Sequence, residues 1–205
     1  MLGRDSLAGR ATIVVAMTLL VGACEGLSVG SKGGPPPTYD LSAPENFPRS
    51  GRTARGQIII PDATATPTLD SEKIIVRPAE GQITALADAQ WSERLTKLVQ
   101  VRTIQAFENA NRLRAVGRPS DRITADYQLL LDIRAFEILV PGGPAAEVEI
   151  SAKIVAEGSG RIIAAHIFRA TIPASSAQGA AAIAALDAAF GKVATDVVLW
   201  TTRLI

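Results

Sequence analysis

The sequence is poor in the residues on which enzymes and metal sites usually depend. Its 205 residues include one cysteine, Cys24, and one histidine, His166, and 4% of them are aromatic. These two side chains cannot supply the four ligands of a structural zinc site. Few rings are available for a ring-lined ligand pocket or a stacking platform. We therefore expect no metal and no cofactor.

An excess of charge of one sign is also missing. The chain carries 21 basic and 20 acidic side chains, and removal of residues 1–23 would take Arg4, Arg10 and Asp5 with it and leave 19 of each. A neutral chain offers no basic stripe that could displace counterions from a nucleic acid. Binding to DNA or RNA is therefore not expected.

The N-terminal apolar run is too short to span a membrane. It covers residues 11–23 without a charge, whereas a hydrocarbon core of about 30 Å takes about 20 helical residues to cross. Arg4 and Arg10 precede the run, and a basic start followed by a short apolar stretch is typical of a secretory signal peptide. We predict a lipoprotein-type signal peptide over residues 1–23, with a buried core helix as the alternative.

Cys24 follows Leu20-Val-Gly-Ala23 directly. This arrangement resembles the bacterial lipobox, in which a cysteine after a small residue receives acyl chains such as palmitate on its sulfur and, after cleavage, on its amino group. Cys24 is the predicted lipid attachment site, with a small buried side chain as the alternative reading. Glu25, in place of the aspartate that retains lipoproteins in the inner membrane, favours an outer-membrane anchor on the periplasmic side of the cell envelope.

Residues 24–38 are rich in glycine, serine and proline and show no periodicity. Such a segment buries too little apolar surface to order itself, so we predict a flexible tether with a reach of up to about 50 Å. Residues 39–205 then form a single domain.

Strand signals dominate the first and middle parts of this domain. Short β-branched runs at residues 57–60 and 73–77 predict buried strands. Apolar and polar residues alternate over residues 127–134 and 147–154, which indicates antiparallel strands covered on one side. Residues 161–172 are apolar on both faces and are predicted to lie more centrally. Turns at Pro141–Pro144 and Gly158–Gly160 join these three strands into a meander.

Two helices complete the predicted fold. The first begins with Asp88 as its N-cap, includes Trp91 and Leu95, and stops at Asn109 or Asn111. The second covers residues 175–205, where an apolar stripe at steps of three and four favours packing along the sheet over a coiled coil with a partner. The fold class is α+β: an antiparallel sheet, with a mixed sheet as the alternative, and two helices packed on one face.

Three patterns are weak candidates for a site. His166 lies in the middle of a strand, and no glycine-flanked serine accompanies it, so a packed or hydrogen-bonded histidine is preferred over a general base. Glu147 and Glu149 share one strand face and could hold a cation, but a solvated face is the simpler reading. Residues 26–32 lack the glycine before lysine that a phosphate loop needs, because Ser31 stands there. No catalytic residue is predicted.

Several stretches together resemble the ABC-type transport auxiliary lipoprotein family. They are Tyr39–Pro44, Ile74–Pro78, Ala89–Gln100 with Ala106–Asn109, Arg114–Gly117, Asp126–Leu129 and Asp132–Glu137. The resemblance implies a non-enzymatic partner of an ABC system, in which an ATPase, a permease and an MCE-domain protein move lipids between the inner and outer membranes. The MCE-domain protein, the permease and ATPase, and the transported lipid are its implied partners. The alternative is a structural or regulatory envelope lipoprotein that assists outer-membrane or cell-wall machinery.

Overall fold

One long strand organises the sheet. The computed structural model describes residues 35–48 and 56–205, and Pro36–Ile205 form a compact unit. The elements of the described residues, in chain order, are β1 (Thr38–Tyr39), β2 (Gln57–Ile59), β3 (Thr64–Ala65), β4 (Lys73–Arg77), β5 (Thr84–Trp91), α1 (Leu95–Ala110), β6 (Ala115–Gly117), β7 (Tyr127–Leu139), β8 (Ala145–Ala156), β9 (Ile162–Pro173) and α2 (Gly179–Leu204).

The strands β7, β8 and β9 form the predicted antiparallel meander. β7 pairs with β8 from Tyr127 opposite Ala156 to Leu139 opposite Ala145, and β9 pairs with β8 over most of its length. Both turns that the sequence predicts lie between these strands, because they are too short to join anything but neighbours. This part of the sheet has the predicted pairing.

The other edge of β7 carries three short strands in parallel. β2, β3 and β4 follow one another along it in chain order, as the pairs Ile58 with Tyr127, Thr64 with Asp132 and Ile75 with Glu137 show. Farther out, β6 pairs in parallel with β2, β5 pairs antiparallel with β4, and β1 pairs in parallel with β5. The fold is therefore α+β as predicted, and the sheet is mixed. The prediction of a purely antiparallel sheet is wrong, because β2, β3 and β4 pair in parallel with β7.

The two helices pack together beside the sheet. α2 lies across β8 and β9, and α1 contacts both α2 and β6. The apolar stripe of α2 is buried through Ile183, Phe190 and Val197, whereas Leu204 at its end is exposed. The described residues thus show α2 packed along the sheet, as predicted. Asn111 ends α1 in the left-handed conformation, which asparagine tolerates better than most residues do.

Aromatic rings connect β5, β7 and α2 in the core. The rings of Trp91 and Phe136 lie edge to face with centroids 5.7 Å apart, and Phe136 is 6.2 Å from Phe190. All three side chains are almost fully buried. Such pairs add to the stabilisation that burial of their large apolar area provides. Phe136 therefore links the outer strands of the sheet to the helix layer.

The start of the first helix was predicted wrongly. Asp88 and Trp91 lie in strand β5, and α1 begins at Leu95. The apolar steps from Trp91 to Leu95 to Leu98 match a helix by coincidence, because Trp91 ends a strand and fills the core opposite Phe136. Helix spacing within so short a window does not separate the two structures.

The predicted position of the third meander strand was also wrong. β9 lies at an edge of the sheet and pairs only with β8 among the described residues. The apolar composition of β9 predicted a central position. Ile162, Ile163 and Ile167 are in fact exposed at the edge of the sheet. The short strands β1, β3 and β6 have no alternation long enough to be predicted.

Candidate functional site

The predicted lipid attachment site lies outside the described residues. Cys24, Glu25 and the rejected phosphate-loop pattern at residues 26–32 all belong to the part of the chain that the structure does not describe. Lipid on Cys24 stays a prediction. The described chain shows where the segment that follows Cys24 joins the domain.

The N-terminal part of the described chain joins the sheet at β1. Thr38 and Tyr39 pair with Gln90 and Trp91 at the end of β5. The N–H of Gln90 donates to the carbonyl oxygen of Pro37 at 3.1 Å, and the N–H of Ser92 donates to that of Tyr39 at 2.7 Å. The chain therefore enters the sheet as strand β1 at Thr38, directly after the proline-rich segment.

The residues after β1 are fastened to both helices. Asp40 forms an ion pair with Arg102 of α1, and the N–H of Ser42 donates to Oδ1 of Asp187 of α2 at 2.6 Å. Farther along, Asn109 Nδ2 donates to the carbonyl oxygen of Pro44 at 3.1 Å, and the Leu41 side chain between these contacts is 2% exposed. We call residues Thr38–Pro44 the anchor segment. A force that pulls on the N-terminal chain would be transmitted through the anchor segment to the sheet and to both helices.

An ionic cluster lies at the N-terminus of α1. The Arg94 guanidinium and the Thr96 hydroxyl both donate to the carboxylate of Asp70, with Arg94 Nε at 3.1 Å and Thr96 Oγ1 at 2.7 Å. The pKa of Asp70 lies below its ordinary value. The main cause is the hydrogen bond from Arg94, followed by the hydrogen bond from Thr96 and by the positive charge of Arg94. The same pair raises the pKa of Arg94. A negative charge here also suits the positive end of the helix dipole.

The carboxylates of Glu147 and Glu149 are paired with arginines from the neighbouring strands. Arg169 of β9 lies 2.7 Å from Glu149 and 3.8 Å from Glu147, and Arg134 of β7 lies 3.9 Å from Glu149. Both glutamate side chains are less than one fifth exposed, so this face is covered by its own ion pairs and is less solvated than expected. Guanidinium groups already occupy the position that a cation would take between the two carboxylates.

A third carboxylate on this face is buried. Glu137 lies opposite Glu147 in the ladder of β7 and β8, and its side chain is 6% exposed. Arg77 at the end of β4 donates through Nε to Glu137 Oε1 at 2.5 Å. An opposite charge at this distance offsets the cost of removing the carboxylate from water. Among the described residues, no group of three or more histidine, cysteine, aspartate or glutamate side chains is placed to hold a metal ion.

His166 packs against rings at the margin of the sheet. Its ring lies 4.6 Å from that of Phe168 and 6.2 Å from that of Trp200, and Phe168 lies 5.6 Å from Trp200. The residue itself is exposed. The contacts with two apolar rings agree with a packing role, which was the preferred reading of this residue.

Two open clefts of the described residues each have an ion pair in their walls. One of about 550 Å³ includes Asp62, Lys97 and Arg118 in its wall, and Lys97 Nζ lies 2.5 Å from Asp62 Oδ2. Another of about 530 Å³ includes Asp70 and Arg94. Each cleft wall therefore contains one ion pair, Lys97 with Asp62 in the first and Arg94 with Asp70 in the second.

Sequence reasoning missed the arginines that pair with the glutamates, although a signal for one of them was present. The predicted turn at Gly158–Gly160 places residues equally distant from Ser159 opposite each other. Glu149 and Arg169 are each ten residues from it, and they are partners in the ladder. The Asp40 and Ser42 contacts had no such signal, because they join segments that are far apart in sequence.

No helix of the described residues combines the length and apolar character needed to cross a membrane.

Comparison with known proteins identifies a family over most of the chain. The model of the family described as the ABC-type transport auxiliary lipoprotein component matches residues 39–198. An uncharacterized protein of Bradyrhizobium diazoefficiens is 34% identical over 209 residues, an alignment that covers 98% of this chain and 56% of that protein. The chain thus spans little more than half the length of this curated relative.

Solved structures share the fold. A crystal structure of protein XCC0632 from Xanthomonas campestris superposes with a TM-score of 0.76 at 28% identity and covers 82% of this chain and 95% of its own. The hypothetical protein CT253 from Chlamydia trachomatis has a TM-score of 0.54 at 8% identity, over 74% of this chain and 98% of its own. The second likeness concerns the fold alone.

The Asp70 cluster predicts a particular dependence of stability on pH. Because the pKa of Asp70 in the folded protein lies below its ordinary value of 3.8, its contribution to stability is complete above that value and is lost as pH falls through the folded-state pKa. The wild type should therefore be more stable to urea than Asp70→Asn near neutral pH, and the difference should shrink in strong acid. Thr96→Val should raise the pKa of Asp70, as measured by NMR titration. A stability difference that stayed constant down to about pH 2 would contradict this assignment.

Proposed function

Because the chain belongs to the family of ABC-type transport auxiliary lipoprotein components, we propose that it is the lipid-anchored accessory component of a system that moves lipids between the inner and outer membranes. In this proposal a cytoplasmic ATPase and a membrane permease work with an MCE-domain protein. The present chain docks on the MCE assembly from the periplasmic side of the envelope. It contributes binding and position and no chemical step of its own.

The anchor segment is the observation that supports this role best. Thr38 lies fourteen residues after Cys24, and the contacts from Thr38 to Pro44 join the sheet and both helices. A domain held through acyl chains on Cys24 would be positioned as a whole, because its attachment point is part of the folded core. An extended tether of this length reaches up to about 50 Å.

The physical chemistry of lipids explains why such a component is useful. Exposure of each methylene group to water costs about 0.8 kcal/mol, so a free lipid crosses an aqueous compartment slowly. A protein route must therefore remain continuous between the two membranes. A tethered domain can join the end of that route to the membrane in which it is anchored, and Glu25 after the cysteine favours the outer membrane.

The lipid anchor predicts a loss of acyl label in one variant. Cells that produce the wild-type chain and are fed a palmitate analogue should label it, whereas Cys24→Ser should take up no label, because no other cysteine is present. Ser28→Ala, a substitution in the predicted tether, serves as the matched control and should label like the wild type. Labelling and processing of Cys24→Ser that matched the wild type would refute the anchor.

The proposed partner predicts a specific crosslinked complex. Purification of the full lipoprotein after crosslinking in its native host should recover an MCE-domain protein, because docking on that assembly is the function proposed. A second lipoprotein of similar abundance, purified in the same way, should not recover it. Repeated recovery of neither the MCE-domain protein nor the permease would count against the transport role while leaving the anchor intact.

A further inference from the structure

One end of the domain brings together strand ends, a hairpin turn and the end of α2. β7 begins here at Tyr127, beside the last residue of β8, and the N–H of Glu157 in the β8–β9 turn donates to the carbonyl oxygen of Asp126 at 2.9 Å. A methyl group on Gly56 would lie 3.4 Å from Ile205 Cδ1 and 3.5 Å from Tyr127 Cε2, so the end of α2 lies at the same place. We call residues 126–127, 153–163 and 203–205 the hairpin end.

Large apolar side chains are exposed at the hairpin end. Ile162, Ile163 and Leu204 are 60%, 49% and 45% exposed, and they make up half of the exposed large apolar side chains among the described residues. The β8–β9 ladder is irregular here, and Ile163 has no partner in it between Ile162 and Ala164. An irregularity of this kind changes the direction of side chains. Two consecutive isoleucines are therefore exposed where regular alternation would place one of them on each face of the sheet.

Three cations accompany these apolar side chains. Lys153, Arg161 and Arg203 are exposed, and none of them forms an ion pair with another described residue. The carboxylates of this end make hydrogen bonds elsewhere, since Asp126 Oδ2 accepts a backbone N–H at 2.9 Å and Glu157 Oε2 accepts from a side-chain amide at 2.5 Å. The positive charges of the hairpin end are thus open to an anionic partner.

We propose that the hairpin end docks on the headgroup region of an anionic bilayer, namely the membrane that holds the acyl chains on Cys24, so the inference rests on the anchor proposed above. Exposed apolar side chains next to lysine and arginine are the combination that interfacial membrane binding requires. The apolar groups enter the boundary between headgroups and acyl chains, and the cations are attracted to anionic lipids. The long side chains of lysine and arginine keep their charges at the headgroups while their stems cover apolar surface.

The position of the tether favours a bilayer over a soluble partner. Thr38 is connected through β5 and β4 to the part of β7 near Glu137, which lies ten residues, or about 33 Å, along the strand from Tyr127. The fourteen residues from Cys24 to Thr38 extend up to about 50 Å, so the anchor and the hairpin end can reach one membrane. An acyl anchor also keeps that membrane at a high effective concentration, which an unattached partner does not share.

Quenching of a fluorescent label by spin-labelled lipid tests this contact in the full lipoprotein. Ile163→Cys can be labelled selectively because acylation blocks Cys24, and the chain is reconstituted in vesicles of phosphatidylethanolamine and phosphatidylglycerol. Ile83→Cys is the matched control. Ile83 is 47% exposed, and it directly precedes β5, whose first residue is connected through β4 to Ile138 at the other end of β7. Quenching should be at least about two-fold stronger at position 163 than at position 83.

A charge reversal separates loss of docking from loss of folding. Arg161→Glu added to Ile163→Cys should reduce the quenching at least about two-fold while the circular dichroism spectrum stays unchanged, because one attractive charge becomes repulsive. Vesicles of phosphatidylcholine alone should give the same low quenching with and without this change. Equal quenching at positions 163 and 83 would overturn the proposal. So would absence of quenching at position 163, which would leave a protein as the partner of this surface.

Flotation of the same samples distinguishes a failed anchor from failed docking. An acylated chain should float with the vesicles at about 0.1 M and at about 1 M salt, whereas contact through the hairpin end alone should survive only at the lower concentration. Flotation at low salt only, with quenching at position 163, would refute the anchor and support the docking surface. Flotation at neither concentration would overturn both.

Discussion

The backbone ladder of β7 is the constraint on which the rest of the domain depends. One edge of this strand carries β8 along its whole length, and the other carries β2, β3 and β4 in succession. Its Phe136 also joins Trp91 of β5 to Phe190 of α2 in the core. The early strands, the C-terminal meander and the helix layer therefore meet at one element, and none of them is completed without it.

With β7 in the middle of the sheet, β1 and β9 lie on opposite sides of it and make different contacts. The anchor segment attaches the N-terminal chain to the sheet and to both helices, whereas β9 at the far side of the meander offers an unpaired apolar edge. Between them, the polar face of the sheet is neutralised by its own arginines. One end of the fold is thus joined to the N-terminal chain, and at the other end a strand edge has no partner strand among the described residues. This suits an auxiliary component of a transport system.

Periodicity in the sequence predicted the elements that make regular contacts. The alternation in β7 and β8 and the long stripe of α2 each reflect one buried face, so the meander and the second helix were found. The last residues of β5, from Asp88, were mistaken for the start of a helix because Trp91 is spaced from Leu95 and Leu98 like a helical residue. β9 was placed centrally because an exposed apolar edge and a buried strand have the same composition. The parallel pairing of β2, β3 and β4 depends on long-range contacts that no local pattern records.

Hydrogen exchange measured by mass spectrometry tests the central role of β7 most directly. If every part of the domain depends on this ladder, amides in the middle of β7, around Leu131, open only when the whole domain unfolds. They should then exchange more slowly than those of the peripheral strands β1 and β6, at a rate that follows global stability. Exchange in β7 as fast as in β1 and β6, under conditions in which α2 stays protected, would contradict this account.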